Sequence, residues 1–247
     1  MHENSIIKMK LFREEYLSSS STGPIRVLDV GSMSVDGHAC FREIFQSPRF
    51  EYVGLDIESG KNVDLVPRDP YGWIEIPDAS YDVVISGQVL EHNPQFWKTL
   101  VEIRRVTRIG GLVCLIIPST GPIHKFPVDC WRFLPDSASP ILDLMGTTEI
   151  EVFHEKANWR SRLENVWGDL CIIGVRSDTD SRPDDLGITA PDLSAAISGG
   201  LIPLTKVADG FALRSNLPLA SAVVHHVGRT VKRITRRARD SISLLQT

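Results

Sequence analysis

Cysteine is scarce in this chain, long apolar runs are missing, and neither sign of charge dominates. The four cysteines, Cys40, Cys114, Cys130 and Cys171, are widely spaced and form no C-x-x-C pair. That spacing argues against a disulfide framework or a zinc knuckle, and reduced thiols in a cytoplasmic protein are the expectation. No apolar stretch approaches the roughly 20 residues that a membrane-spanning helix needs. The opening Met1-His2-Glu3-Asn4 lacks the cationic segment and apolar stretch of a secretory leader. A net charge of −4 over 247 residues gives no whole-chain case for nucleic acid.

The charge is unevenly placed. Residues 229–240 carry six cations (Arg229, Lys232, Arg233, Arg236, Arg237, Arg239) and one acid, Asp240, which leaves residues 1–228 at −9. From about 219 onward, Ala220, Val223, Val227, Val231, Ile234, Ala238, Ile242 and Leu245 recur at steps of three or four, the stripe of an amphipathic helix. Such a basic helix can dock on the acidic core or on a protein partner, or lie on an anionic membrane surface. Nucleic acid is disfavoured, because no aromatic residues interleave with the cations. The stretch 177–192, with five Asp, two Pro and one Gly, reads as a solvated linker.

Hydrophobic residues make up 42% of the chain, enough for a sizeable core. Residues 5–17 predict an amphipathic lead helix, followed by a loop from Ser18 to Gly23. Apolar strands are predicted at 26–30, 51–56, 81–86, 112–117, 148–154 and 169–175, with helices at about 37–46, 94–108 and 136–145. Gly110-Gly111 reads as a helix C-cap and turn. Asn93-Pro94 reads as an N-cap with proline at the first helical position. The alternation of strands and helices predicts an α/β fold, a doubly wound and mainly parallel sheet with helices on both faces. The expected divisions are a lead helix and loop at 1–22, a core at 23–176, and a linker with a basic C-terminal helical extension at 177–247.

The most informative segment is Val27-Leu28-Asp29-Val30-Gly31-Ser32, a strand running into a small-residue turn. It is followed by Tyr52-Val53-Gly54-Leu55-Asp56, a strand ending in an acid. The turn lets a ligand approach the backbone, and a strand-terminal carboxylate accepts hydrogen bonds from ribose hydroxyls. A nicotinamide dinucleotide is disfavoured, since Met33 stands where its pyrophosphate needs a second glycine.

Over residues 25–176 these pieces resemble the class I S-adenosylmethionine-dependent methyltransferases, of the type 11-like branch. The resemblance is also carried by Ile76-Pro77-Asp78-Ala79-Ser80-Tyr81-Asp82-Val83-Val84, by Val89-Leu90-Glu91-His92, and by Arg105-Val106 through Gly110-Gly111-Leu112. It implies a seven-stranded Rossmann-like sheet and S-adenosyl-L-methionine as cofactor. Gly31, Ser32, Met33, Gly87 and Gln88 would then meet the methionine end, Asp56 the ribose, Ile57 the adenine ring, and Asp69 with Pro70 the adenine amino group. The glycine turn departs from the usual G-x-G-x-G, because Met33 and Val35 occupy the other glycine positions; Asp36-Gly37 is expected to make the bend.

His124-Lys125-Phe126-Pro127-Val128-Asp129-Cys130-Trp131-Arg132-Phe133 resembles an H-x-x-P-x-D-x-x-R-F element of methyltransferases in glycan and natural-product tailoring. Loops at the carboxyl edge of a sheet concentrate binding groups. A hydroxyl acceptor needs a base, and histidine suits that near neutral pH. His124 is the first candidate, with Asp129 orienting it and His92 as its rival; Trp131 and Arg132 are candidate substrate contacts. His154 and the His225-His226 pair read as structural. A divalent metal held by His92, His124 and Asp129 could activate a sugar diol, but the sequence offers no compact ligand spacing and no metal is expected. The function expected is O-methylation of a small-molecule or glycan hydroxyl. The alternatives are a non-catalytic cofactor-binding or scaffold module, and an RNA methyltransferase using the basic tail.

Overall fold

The computed structural model describes residues 3–18, 23–34, 40–155, 167–177, 201–207 and 210–213. The Asp36-Gly37 bend, the linker over 178–192, the His225-His226 pair and the basic C-terminal helix lie outside the described residues.

Six strands form the body of one sheet. They are β1 (Ile25–Val30), β2 (Phe50–Leu55), β3 (Tyr81–Gly87), β4 (Thr107–Thr120), β5 (Thr147–Glu155) and β6 (Gly168–Arg176). Their spatial order is β2-β1-β3-β4-β6-β5, and β7 (Leu201–Val207) and β8 (Gly210–Leu213) continue it beyond β5. The pairs β1–β2, β1–β3 and β3–β4 are parallel, whereas β6 runs antiparallel to both β4 and β5. The doubly wound α/β expectation therefore holds. The strand count of seven does not: eight strands pair among the described residues, because β7 and β8 add to the six expected from the apolar runs.

The alternation of side chains along the central strands builds two cores. Leu28, Val30, Val84, Val113, Leu115 and Ile117 face α2 (Phe96–Val106) and α3 (Ala138–Met145), against Leu100, Ile103, Ile141, Leu142 and Met145. Val27, Val83, Ile85, Cys114 and Ile116 face the other way, under Met9 and Phe12 of α1 (Glu3–Tyr16) and under Phe41 and Phe45 of a short 3-10 turn. Each fully buried Leu or Ile contributes roughly 1.5–3 kcal/mol. The lead helix also brings a buried cation, Lys8, whose Nζ lies 2.5 Å from Asp169 Oδ2 at the start of β6.

Two local readings are corrected. The helix α2 ends at Val106, where Thr107 is already extended and its hydroxyl donates to the Ile103 carbonyl at 2.6 Å. Gly110-Gly111 is thus no helix cap. It lies within the long strand β4, Gly110 with φ +73°, where the register against β3 shifts between Tyr81 and Val83. At the other end, α2 starts at Phe96 rather than Pro94. Asn93 Oδ1 instead accepts from the Gln95 N–H at 3.0 Å, and Asn93 Nδ2 donates to Thr99 Oγ1 at 2.7 Å.

The chain moves outward from β1 to β2 and then returns to β3 on the other side of β1. That makes the β1/β3 boundary a topological switch point, and the crevice at the carboxyl ends of these strands is where open α/β sheets bind ligands.

Candidate functional site

At that crevice, Gly31 leaves β1 with φ +79°, and a Cβ there would lie 2.1 Å from Val89 Cγ2. Only glycine combines this dihedral with so close a neighbour. The turn is held by the Gly31 and Ser32 N–H groups, which donate to the Leu55 carbonyl at 2.8 and 3.0 Å. Asp56 follows directly on β2. One of its carboxylate oxygens accepts from the Met33 N–H at 2.9 Å and the other from the Ile57 N–H at 2.8 Å. Burial raises the Asp56 pKa, and the backbone donors Met33, Ile57 and Glu58 oppose that shift.

Ser32 is buried, and its hydroxyl donates to the Asn62 carbonyl at 3.1 Å, while Asn62 Nδ2 returns a bond of 2.7 Å to the Ser32 carbonyl. Its side chain therefore fastens the turn to the loop after β2. Ile57 is exposed. Asp69 and Pro70 sit on an exposed turn in which Asp69 Oδ1 accepts from the Tyr71 N–H at 2.8 Å. Trp73 anchors that turn from the core: its indole N–H donates to the Pro70 carbonyl at 3.2 Å, and its backbone N–H donates to Glu102 of α2 at 2.8 Å.

Gly87 ends β3 against the Phe41 ring, and Gln88 follows in the left-handed region at φ +58°. Gln88 Nε2 donates to Asp169 Oδ1 at 3.0 Å and to Ser5 Oγ at 3.3 Å. Gln88 Oε1 is buried with no hydrogen-bond partner. A methionine ammonium donates to such an acceptor, and ribose hydroxyls donate to a carboxylate placed like Asp56. The donor and acceptor chemistry thus fits S-adenosylmethionine.

The loop after β4 folds back over the turn Leu90–His92. The Cys130 N–H donates to the Glu91 carbonyl at 2.7 Å, and the Trp131 indole N–H donates to the Asn93 carbonyl at 2.9 Å. This brings His124 against His92, with ring centroids 4.6 Å apart at 79°. Phe126 and Trp167 also flank the His124 ring, at 6.1 and 4.8 Å. Asp129 is clamped by the Arg132 guanidinium at 2.6 and 2.8 Å and by the His124 backbone N–H at 2.8 Å. Those contacts, the Arg132 bonds first, hold its pKa below the ordinary carboxylate range. Asp129 Oδ2 also lies 3.4 Å from His124 Nδ1.

Arg132 gives its remaining bonds to the Pro122 and Trp131 carbonyls, which makes it a brace of the loop. Trp131 packs on Phe96 and Trp97 of α2 with part of its ring exposed. His154, by contrast, lies on β5 with Nε2 2.7 Å from Ser119 Oγ.

Gly31, Ser32, Met33, Asp56, Ile57, Gly87 and Gln88 thus lie at the ends of β1, β2 and β3, Asp69 and Pro70 sit on a separate turn, and His92, His124 and Asp129 meet around one loop. Two members of that loop cluster escaped the sequence reading. Glu91 is fully buried beside His92, and its pKa is pushed up to about 8 by burial. Trp167 reaches His124 from the start of β6. Only the adjacency of Glu91 to His92 could have flagged the first, and nothing local marks the second.

Residues 28–115 match the family described as a methyltransferase domain. An uncharacterized methyltransferase of Mycolicibacterium gilvum is 32% identical over 108 residues, covering 40% of this chain and 41% of that protein. The chloroplastic 2-methyl-6-phytyl-1,4-hydroquinone methyltransferase 1 of Oryza sativa subsp. japonica is 24% identical over 155 residues, covering 59% of this chain and 43% of that protein. The chain therefore spans about two fifths of the length of these curated relatives. Among solved structures, the 1,6-didemethyltoxoflavin-N1-methyltransferase of Burkholderia thailandensis, with 1,6-didemethyltoxoflavin and S-adenosylhomocysteine bound, superposes with a TM-score of 0.53. It is 14% identical, over 71% of this chain and 80% of that one, a likeness of fold. Among the described residues no helix is long and apolar enough to cross a membrane. Residues 28–115 thus match a methyltransferase domain, and they lie on a Rossmann-like sheet.

Proposed function

We propose that this chain transfers the methyl group of S-adenosylmethionine to an oxygen of a small-molecule or glycan hydroxyl. The observation that carries this reading is the proximity of His92 and His124 in a loop cluster at the carboxyl edge of the sheet, the same edge where Asp56 and the Gly31 turn lie. The bound cofactor would supply an electrophilic methyl group and a neutral thioether leaving group.

The protein's own tasks are to place the hydroxyl and to remove its proton. Positioning supplies much of the rate, because the acceptor must stand about 3 Å from the methyl carbon and in line with it. His124 is the proposed proton acceptor, oriented by Asp129, which Arg132 in turn holds rigid. His92 is its alternate. Burial lowers the His92 pKa, so its ring is neutral and able to accept a proton near pH 7.

Exposed Phe126, Ile123 and Trp131 offer apolar faces near this cluster, which suits an acceptor with a ring to stack. One relative's name specifies a hydroquinone and one structural neighbour is named an N1-methyltransferase, so the class of acceptor atom belongs to the proposal.

The test is transfer of a tritiated methyl group to panels of sugars, phenols and other hydroxyl compounds, with amine and carbon acceptors in parallel. Labelled product from hydroxyl compounds, lost in His124→Ala, is the expected result. Labelling confined to amine or carbon acceptors would overturn the oxygen assignment. Cofactor binding without turnover on any panel would favour a non-catalytic module.

A further inference from the structure

Glu91, His92 and His124 meet although the sequence spacing gives no sign of it. Their candidate donor atoms all lie within 4.8 Å of one another. His92 Nδ1 sits 2.6 Å from the Val128 carbonyl, which can only accept, so Nδ1 carries the ring proton. His92 Nε2 then holds a lone pair, and it faces Glu91 Oε1 at 3.6 Å. Glu91 is fully buried, and neither of its carboxylate oxygens has a hydrogen-bond partner. The buried Glu91 carboxyl is therefore turned toward the imidazole lone pair with no hydrogen bond made between them. A buried carboxyl with no partner is costly as an anion unless a proton or a metal ion neutralises it. The imidazole arrangement is that of a metal ligand, whose second ring nitrogen is fixed by a backbone carbonyl or a carboxylate. His92 has Val128 in that role, and His124 has Asp129 behind Nδ1 at 3.4 Å.

We propose that Glu91, His92 and His124 form a binding site for a divalent first-row transition metal of the Zn2+ class. Two imidazoles and one carboxylate suit such an ion and leave a coordination position open. Ligand bonds of about 2.0–2.2 Å require the three donors to draw in by about 1 Å. His124 can make that shift because it sits on a loop, whereas Glu91 is fixed in the core. Bound there, the ion would clamp the loop after β4 onto the Leu90–His92 turn. A hydroxyl drawn to the open position would become more acidic by coordination and release its proton to solvent. The two imidazoles would then serve as ligands in place of the base role given to them above. Ion binding is independent of the methyl-transfer reading, because it is measured with neither cofactor nor acceptor present.

The experiment uses the full chain, stripped with a chelator, dialysed, and titrated with Zn2+ by calorimetry and with Co2+ under visible absorption. Uptake of one ion per chain, with cobalt bands of a nitrogen and oxygen ligand set, is expected. Glu91→Gln, His92→Ala and His124→Ala should each weaken uptake on the order of 10-fold or more, and Asp129→Asn by roughly 10-fold through its support of His124. Cys130→Ser should leave the cobalt spectrum unchanged, which separates this site from thiolate binding by the exposed cysteine. Should Glu91→Gln fail to fold, His124→Ala, altered only on the loop, carries the test. No uptake by the wild type, or equal uptake by the folded variants, overturns the site. Metal binding without methyl transfer, or transfer in the stripped protein without metal binding, would sustain one reading and refute the other.

Discussion

His92 and His124 stand edge to face with ring centroids 4.6 Å apart, one on the turn after β3 and the other on the loop after β4. Their backbones are joined through neighbours, since the Cys130 N–H binds the Glu91 carbonyl. That end of the crevice is therefore assembled by packing one loop on one turn. If His124 is the base, His124→Ala lowers turnover about 100-fold or more while cofactor affinity holds. Steady-state kinetics with the methyl donor varied read both quantities. An intact rate in His124→Ala alongside a lost rate in His92→Ala would pass the role to His92.

Asp129 is the hinge of that loop's charge arrangement. Replacing it with Asn leaves Arg132 half-buried without its partner, and a loss of about 3 kcal/mol is expected at neutral pH. The pH dependence has a definite sign. A carboxyl whose folded-state pKa is depressed contributes stability above its unfolded value of about 3.9, and loses it as pH falls through the folded-state value. Denaturant melts between pH 5 and pH 2 should therefore bring wild type and Asp129→Asn together toward the acid end. Parallel curves would mean the pair contributes nothing to folding.

Asp29 offers the opposite case. It is buried in β1, accepts a hydrogen bond from the Tyr52 hydroxyl, and has a pKa raised to about 7 by burial. The folded state then holds a proton that the unfolded chain has already released, so its contribution is intact below about pH 4 and declines until about pH 7. The slope is at most about 1.4 kcal/mol per pH unit. Asp29→Asn, which keeps an acceptor for Tyr52, should gain on the wild type across that window. Equal slopes for the two proteins would show that Asp29 does not titrate there.

The strands were legible because their apolar runs are local facts: Tyr81-Asp82-Val83-Val84-Ile85-Ser86 can hardly be read otherwise. Gly31 and Asp56 were legible for a similar reason, each standing at the end of such a run. What escaped the sequence depends on partners far along the chain. Gly110-Gly111 carries turn chemistry, yet pairing of Thr107 with Tyr81 draws the segment into β4. Lys8 reads as a surface charge on an amphipathic helix until Asp169 closes over it from 161 residues away. Glu91 likewise gains its meaning only when the loop bearing His124 folds down beside it.

The central claim is a cofactor seat at the ends of β1 and β2, with Asp56 as its anchor, and calorimetric titration with S-adenosylmethionine tests it most directly. The account predicts saturable binding by the wild type and a loss of roughly 10-fold or more in Asp56→Ala, because the ribose hydroxyls lose a charged acceptor worth about 1.5–3 kcal/mol. A wild-type protein that gives no binding heat and no thermal shift, or an Asp56→Ala protein of unchanged affinity, would contradict it.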